Sequence, residues 1–308
     1  MRFVTFIVGT SRLWTFSIIL TCCVLTSSSN GNSKPSNLSS SNLRDTASST
    51  PEVLTFANPS DLNEVQFKNS IDNILSTVAN ILNGIPRTLV LERRTQEQNL
   101  SLAISAWHSP NLTLETHGTR TQSLTEDGLK LLLCHEIGHI AGGEPTRNFF
   151  YNDIPFSEEG EADYYSTSGC LPAVFSQQEN SKFLEFLNLS TDLQEICRNE
   201  VDDVARALCA RVALASLNAS RFLYKTWDTH FMGVDPGVEP NLKNKAGPER
   251  IVGTMNYPLP QCRLDTFLKG FECRSVEQPV SYTKNPNVGT RCGKSASNVS
   301  RPSCWYGP

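Results

Sequence analysis

The segment His135-Glu136-Ile137-Gly138-His139 constrains the fold more than any other part of the chain. Residues four apart project from the same face of an α-helix, so the two imidazoles can bind one metal ion. Glu136 lies one step round the helix, where its carboxylate can hold a water molecule instead of the metal. Apolar residues recur at helical spacing between about Thr125 and Ala141, and they form the opposite stripe: Leu129, Leu133, Ile137 and Ile140. We therefore predict a metal-binding helix whose histidine face turns towards a cleft.

The third metal ligand has to come from elsewhere, because a catalytic zinc site uses three protein ligands and keeps a fourth position open. One zincin pattern places a histidine six residues after the second ligand, but Pro145 stands at that position. The acidic segment 158–163 carries Glu159 and Asp163, which share a helical face. One of them can bind the metal while the other supports a ligand histidine. The alternative is a solvated acidic helix start, so the residues alone leave the choice open.

The motif H-E-I-G-H, followed by E-x-x-A-D at residues 159–163, resembles the pattern of the glutamate-zincin metallopeptidases. This family includes the CAAX prenyl proteases, the HtpX heat-shock proteases and soluble periplasmic relatives. The resemblance implies that His135, His139 and Glu159 bind one Zn²⁺ per chain, with Asp163 as the partner of a ligand histidine. It also implies that Glu136 is the general base when a zinc-bound water hydrolyses a peptide bond. The chain looks like an exported, cysteine-rich branch of this family.

A third motif of the family is His-Pro, with an arginine six residues after the histidine. Here Tyr257-Pro258 and Arg263 keep that spacing, but tyrosine replaces histidine. The resemblance gives the residue at this position a hydrogen bond to the transition-state oxyanion. A phenol is also a donor at neutral pH, so Tyr257 and Arg263 are candidate catalytic residues. Arg263 either assists the same charge or ties its loop to the metal helix, and the alternative for Tyr257 is simple packing against Pro258.

Hydrophobic periodicity and the resemblance together predict an α+β fold. We expect a zincin-like metallopeptidase domain with a small sheet, an active-site helix and a disulfide-stapled C-terminal region. Helical spacing is evident over residues 71–82 and 193–215, and a further helix is expected to start within 157–163. The β-prone segments are 88–91, 100–107 and 112–116, and either of the last two could offer an edge to an extended peptide. Beyond Thr226 the chain is rich in proline, glycine and cysteine, which predicts loops that wrap the core.

Residues 1–29 predict a signal peptide, because arginines precede an apolar run that is too short to span a bilayer. Residues 30–55, rich in serine and asparagine, predict a flexible linker. We expect the metallopeptidase domain over 56–270 and a cysteine-rich extension over 271–308. The predicted location is the periplasm or cell envelope, or outside the cell. Contact with a membrane is expected only through an uncleaved N-terminal anchor or a lipid on Cys22 or Cys23.

Export would leave eight cysteines, an even number that predicts disulfides in an oxidising compartment: Cys134, Cys170, Cys197, Cys209, Cys262, Cys273, Cys292 and Cys304. Short spacing favours the pairs Cys262–Cys273 and Cys292–Cys304. The chain has 27 basic and 31 acidic residues and a net charge of −4. Since it lacks a basic excess, nucleic acid is not an expected partner.

These features predict an exported zinc metalloendopeptidase whose partner is a peptide or protein substrate. The alternative function is a catalytically inactive zinc-binding scaffold of the cell envelope, which uses its cysteine-rich tail for contacts. Glu136 separates the two, because a structural zinc site needs no general base beside its ligands. A structural site would also close its fourth position with Cys or His, and the motifs supply neither.

Overall fold

A computed structural model describes residues 64–82, 89–94, 103–108, 112–117, 124–148, 155–227, 229–248, 257–274 and 301–305. The predicted signal peptide and linker, with Cys22 and Cys23, lie outside the described residues, as does most of the predicted C-terminal extension. The described part of the chain is mostly helical, with short strands on either side of the helix that carries H-E-I-G-H.

The elements follow one another along the chain as α1 (Glu64–Leu82), β1 (Leu89–Arg94), β2 (Ala103–His108), β3 (Leu112–His117), α2 (Glu126–Ala141), β4 (Thr146–Asn148), β5 (Pro155–Ser157), α3 (Glu159–Tyr165), a π-helical turn (Ser166–Cys170), α4 (Leu171–Ser176), α5 (Phe183–Leu189), α6 (Thr191–Ile196), α7 (Asp203–Lys225), α8 (Thr229–Met232) and α9 (Pro260–Glu272). The predicted helices over 71–82 and 125–141 are confirmed as α1 and α2. The helix expected to start within 157–163 is α3. The three β-prone segments correspond to β1, β2 and β3.

Strands β1, β2 and β3 form a small sheet in the order β1-β3-β2. The central strand β3 pairs in parallel with β1 and antiparallel with β2. Of the two strands that the sequence suggested as a docking edge, β3 is therefore excluded and β2 lies at an edge of the described sheet. β2 packs against α2, and the short antiparallel pair β4–β5 lies between α2 and α3 in the chain.

Helix α2 runs through the interior of the molecule. The Thr125 hydroxyl caps its N-terminus by accepting a hydrogen bond from the Gly128 backbone N–H at 3.0 Å. Every residue from Gly128 to Ala141 is buried, because α1, α3, α7 and β5 pack around the helix. The expectation of a histidine face open to a cleft is wrong for the described residues. The acidic segment covers that face, as it must if one of its carboxylates is to reach the histidines.

The described disulfides are Cys134–Cys170, Cys197–Cys209 and Cys262–Cys304. Both pairs favoured by short spacing are wrong, because Cys262 bonds to Cys304. Cys262 and Cys273 lie at opposite ends of α9, and 11 helical residues separate two atoms by about 16 Å, far beyond the 4.4–6.8 Å that a disulfide allows between Cα atoms. Cys273 is also disulfide-bonded, to a cysteine outside the described residues.

The single long helix predicted over 193–215 is two helices. α6 ends at Ile196, and α7 begins at Asp203 after the Asp202 carboxylate accepts a hydrogen bond from the Ala205 backbone N–H. The Cys197–Cys209 disulfide holds the end of α6 against α7. Val201 and Val204, which helped to suggest one continuous stripe, are 90% and 77% exposed. Apolar spacing alone did not reveal the N-cap that separates the two helices.

The region beyond Thr226, predicted as loops, contains the buried helix α9. Pro260 stands in its first turn, where a missing N–H costs no helical hydrogen bond. Gly270 lies against α3, and a side chain there would collide with the Tyr164 carbonyl. The proline and the glycine that suggested loops therefore occupy positions at which a helix accepts them.

The disulfides indicate an oxidising environment. Among the helices that the structure describes, none combines the length and the apolar character that a membrane crossing requires.

Candidate metal centre

Three buried side chains from two helices meet at one point. His135 and His139 come from α2 and Glu159 from the first residue of α3, and their potential ligand atoms all lie within 4.8 Å of one another. The His135 Nε2 lies 3.3 Å from one oxygen of Glu159, and the His139 Nε2 lies 3.5 Å from the other. The two imidazole rings are nearly perpendicular, with centroids 4.7 Å apart. The structure thus brings together the three residues expected to bind metal.

The other nitrogen of each imidazole is held by an acceptor. The His135 Nδ1 lies 2.7 Å from an oxygen of Asp163, and the His139 Nδ1 lies 2.8 Å from the Ser157 carbonyl oxygen. Carboxylate and carbonyl oxygens only accept hydrogen bonds, so each Nδ1 carries the proton. In a neutral ring the lone pair is then on Nε2, and both lone pairs face the Glu159 carboxylate.

This arrangement calls for a positive charge between the three groups, either a proton or a metal ion, since lone pairs and a carboxylate repel one another. Nitrogen and oxygen ligands about 2.1 Å from a tetrahedral ion stand about 3.4 Å apart. The two nitrogens lie 3.3 and 3.5 Å from the two different oxygens of Glu159, and all the potential ligand atoms lie within 4.8 Å of one another, so the group has room for one ion. Two imidazole nitrogens and one carboxylate are also a donor set that divalent transition metals accept.

Charges around the centre shift the protonation of its members. Burial and Arg263 lower the pKa of His135, but the charge and hydrogen bond of Asp163, together with a hydrogen bond to Glu159, outweigh them and raise that pKa to about 9. Burial raises the pKa of Glu159, while His139, His135 and Arg263 together lower it well below its usual range. In the metal-free protein a proton therefore occupies the position between His135 and Glu159. A metal ion would displace that proton, as is usual for histidine sites.

Asp163 is the main support of His135 and is itself fully buried. Arg263 on α9 donates to both of its oxygens, from Nε at 2.8 Å and from Nη2 at 2.6 Å. The same Nη2 lies 3.2 Å from the His135 Nδ1. Burial lowers the pKa of Arg263, but Asp163, Glu159 and Tyr257 outweigh burial and hold that pKa above its ordinary value. The guanidinium therefore stays charged. Arg263 therefore ties α9 to the metal helix through Asp163.

A close approach of α2 and α3 makes this geometry accessible. At Gly138 a Cβ atom would lie 2.6 Å from the Ala162 carbonyl oxygen and 2.8 Å from the Ala162 Cα. The two backbones can touch there only because Gly138 has no side chain. The Cys134–Cys170 disulfide adds a covalent link between α2 and the π-helical turn that follows α3. Glu159 is held close to the histidines by these two contacts.

The remaining predicted site residues lie around this group. Glu136 is next to His135 on α2, with 8% of its surface exposed. Tyr257 is partly buried just before α9, near enough to Arg263 to raise the pKa of that guanidinium. Pro258 follows Tyr257 and is buried.

Sequence reasoning missed two contacts of His139. Its ring stacks on Phe156, with centroids 4.2 Å apart, and its Nδ1 donates to the backbone of Ser157. A backbone carbonyl has no residue-type signature, so the sequence contains no signal for Ser157. Phe156 lies three residues before Glu159, and this position beside the acidic segment was the only sequence feature that could have suggested its contact with His139.

Comparisons with protein-family models, with curated proteins and with solved structures find no match to this chain. What the centre does is therefore inferred from its motifs and its geometry.

Proposed function

We propose that the protein is an exported zinc-dependent metalloendopeptidase of the glutamate-zincin kind. The observation that carries the proposal is the convergence of the His135 and His139 Nε2 atoms on the Glu159 carboxylate, 3.3 and 3.5 Å away, with Glu136 next to His135 on α2. His135, His139 and Glu159 would hold the metal. Zinc suits two imidazoles and one carboxylate, and the three protein ligands leave a fourth position for the reaction.

The catalytic roles follow from the positions of the side chains. When bound, zinc supplies a Lewis acid that polarises the scissile carbonyl and lowers the pKa of water. Glu136 accepts the proton of the attacking water and passes it to the leaving amine. Asp163 keeps the proton of His135 on Nδ1 and so keeps Nε2 as the ligand atom. The Ser157 carbonyl does the same for His139.

Arg263 acts in this proposal through Asp163, because its guanidinium is used in two hydrogen bonds to that carboxylate. This supports a role in which Arg263 links α9 to the histidine helix through Asp163, instead of a direct hydrogen bond to the oxyanion. Tyr257 is the candidate donor to the oxyanion. The substrate would be an extended peptide or protein segment, and β2 is the strand edge that packs beside α2.

One observation favours the alternative, a zinc-binding scaffold without activity. The ligands are deeply buried, with His135 and His139 each 4% exposed and Glu159 2% exposed, as in a structural zinc site. A structural site, however, closes its fourth position with another Cys or His. In the part of the chain that the structure describes, the metal-ligating group contains only His135, His139 and Glu159. The lack of a fourth Cys or His in this group, among the described residues, and the neighbouring Glu136 support the enzyme.

The test combines metal analysis with peptide cleavage by the full-length protein. We expect about one zinc per chain, and cleavage of a peptide library that a chelator abolishes and added zinc restores. Glu136→Gln should retain zinc but lower kcat by at least about 10²-fold, because it removes the general base without removing a ligand. Metal content measured by mass spectrometry also separates zinc from iron, which a centre of two histidines and one carboxylate can bind.

Two control variants complete this experiment. Glu159→Gln should lose zinc, whereas Glu158→Gln should keep both zinc and turnover, because Glu158 only precedes α3 as its N-cap residue. Zinc retained by the wild type with no cleavage of any peptide would favour the scaffold. Turnover unchanged in Glu136→Gln would rule out the proposed general base.

A further inference from the structure

The segment 301–305 packs against α3, on residues that the metal does not use. Arg301 donates to both carboxylate oxygens of Glu161, with Nη2 2.6 Å from Oε1, and its guanidinium lies 4.5 Å from the centre of the Tyr164 ring. Trp305 covers Gly160 so closely that a Cβ atom at that glycine would collide with the indole. Glu161 has no exposed surface. The second and third residues of the E-x-x-A-D motif are thus contact points for the C-terminal segment.

The first turn of α3 has little local stabilisation. α3 leads directly into the π-helical turn and α4, but its N-terminal turn contains Gly160 and has no side-chain hydrogen bond at the N-cap. Helix ends without a capping side chain are less stable, and glycine lowers helix propensity further. Its first residue is nevertheless Glu159, which has to stay within bonding distance of a metal held by α2. The position of Glu159 therefore depends on what packs against α3.

The same segment is covalently tied beside the other support of the centre. Cys304 is bonded to Cys262 in the first turn of α9, and the next residue, Arg263, holds Asp163. Residues 301–305 consequently touch α3 on one side and are anchored to α9 on the other. α3 lies between the histidine helix α2, the helix α9 and this segment.

We propose that Arg301 and Trp305 are positioning residues of the metal centre, which hold α3 so that Glu159 reaches the ion bound by His135 and His139. The inference rests on the proposed metal-binding role of those three residues, but not on peptide cleavage. Arg301 acts through the charge and two hydrogen bonds that it gives to buried Glu161. Trp305 acts through the area that it covers at Gly160.

The experiment measures zinc affinity on the full-length, oxidised protein. The metal-free protein is titrated with zinc in competition with a coloured chelator, and the cobalt-substituted protein is examined by visible absorption, which reports the number and type of ligands. Arg301→Ala should weaken zinc affinity measurably, by up to the roughly 10- to 100-fold lost when a direct hydrogen-bond partner of a metal ligand is removed. Its cobalt spectrum should differ from that of the wild type, because a displaced Glu159 changes the ligand set.

Arg274 provides a matched control. It also makes a buried, two-bond ion pair, with Glu200 at 3.0 and 2.7 Å, and its guanidinium lies 3.9 Å from the centre of an aromatic ring, that of Phe271. This pair joins the end of α9 to the turn between α6 and α7, away from α3. Arg274→Ala should therefore lower the melting temperature as Arg301→Ala does, but leave zinc affinity and the cobalt spectrum unchanged.

A conservative pair of variants tests Trp305. Trp305→Phe keeps an aromatic ring over Gly160 and should retain most of the zinc affinity. Trp305→Ala should weaken zinc affinity about as much as Arg301→Ala does. Equal affinities for Arg301→Ala, Arg274→Ala and wild type would overturn the positioning role while leaving the metal centre intact. A wild-type protein that binds no divalent metal would overturn both. Zinc affinity that falls as expected in a protein without peptidase activity would support the positioning role and reject the proposed enzyme.

Discussion

Asp163 joins three helices through a single carboxylate. It lies on α3, accepts hydrogen bonds from Arg263 on α9 and holds the Nδ1 proton of His135 on α2. A buried carboxylate is costly unless it is paired and hydrogen-bonded, and here Arg263 supplies both the charge and two donors. The orientation of His135 therefore depends on a residue 128 positions further along the chain, a separation that no local motif describes.

Tyr257 is the residue at which the chain departs from the family that it resembles, and its hydroxyl can be tested alone. We expect Tyr257→Phe to lower kcat by about one to three orders of magnitude, because one missing donor to the oxyanion commonly costs about 10²–10³. Zinc content should not change, since the variant removes only a hydroxyl group that is not among the proposed ligands. Steady-state kinetics on a peptide cleaved by the wild type measure the effect. Wild-type turnover in this variant would leave Tyr257 with a packing role only.

The candidate metal ligands could be predicted from the sequence, but their supports could only be predicted in part. His135 and His139 follow from a fixed helical spacing. The same spacing left Glu159 and Asp163 interchangeable, and only the resemblance to the glutamate-zincin pattern assigned one as ligand and the other as support. The Ser157 carbonyl could not be found, because every residue has a carbonyl group. Arg301 could not be found either, since nothing local connects it with α3.

At the scale of elements, the backbone contact between α2 and α3 controls the width of the metal centre. We expect Gly138→Ala to push α3 away from α2, because the new Cβ would lie 2.6 Å from the rigid Ala162 carbonyl oxygen. Overpacking of this kind typically costs about 1–3 kcal/mol of stability. Zinc affinity should fall at least about tenfold along with the melting temperature. Chelator competition and calorimetry measure the two quantities.

Gly128→Ala is the control for that variant, on the same helix but at its N-terminal end. There the new methyl group meets the side chain of Asn218, which can move, instead of backbone. Asn218 accepts hydrogen bonds from Thr125, so some stability should be lost. Zinc affinity should be retained. A Gly138→Ala protein that binds zinc as tightly as Gly128→Ala would show that α3 tolerates the displacement.

Elements with a clear hydrophobic periodicity were predicted from the sequence. Elements whose ends or existence depend on long-range contacts were not. α1 and α2 have long apolar repeats and clear C-terminal ends, so both helices could be predicted, although α1 begins at Glu64, seven residues before the predicted start. The division between α6 and α7 depends on the Asp202 cap and the Cys197–Cys209 disulfide. α9 was not predicted, because its proline and glycine suggested loops. Both residues are compatible with a helix that packs on one side against α3.

At the scale of the whole molecule, disulfides hold the interior together around the metal centre. Cys134–Cys170 links α2 to the turn after α3, and Cys262–Cys304 links α9 to the C-terminal segment. Loss of a native disulfide from a secreted domain typically costs about 2–5 kcal/mol. We therefore expect reduction with a phosphine to lower the melting temperature sharply, as measured by calorimetry on the same sample before and after treatment.

Chemical labelling provides the check on that result. Alkylation of the native, unreduced protein followed by mass spectrometry should leave Cys134, Cys170, Cys262 and Cys304 unmodified. Alkylation of these four residues, or a melting temperature that is insensitive to reduction, would contradict the covalent arrangement. A Cys197→Ala/Cys209→Ala variant should lose stability but keep its zinc, because that disulfide joins the end of α6 to α7 and links neither α2 nor α3.

The ion pair between Glu161 and Arg301 also imposes a delay on maturation. The two residues are 140 positions apart, so a ribosome adding about 5–20 residues per second completes Arg301 roughly 7 to 28 s after Glu161. Throughout that interval the nascent chain already contains both histidines and Glu159, but not the guanidinium that pairs with Glu161. α3 cannot reach its final environment during this time. The surroundings of the candidate centre are therefore completed only after Arg301 has been synthesised.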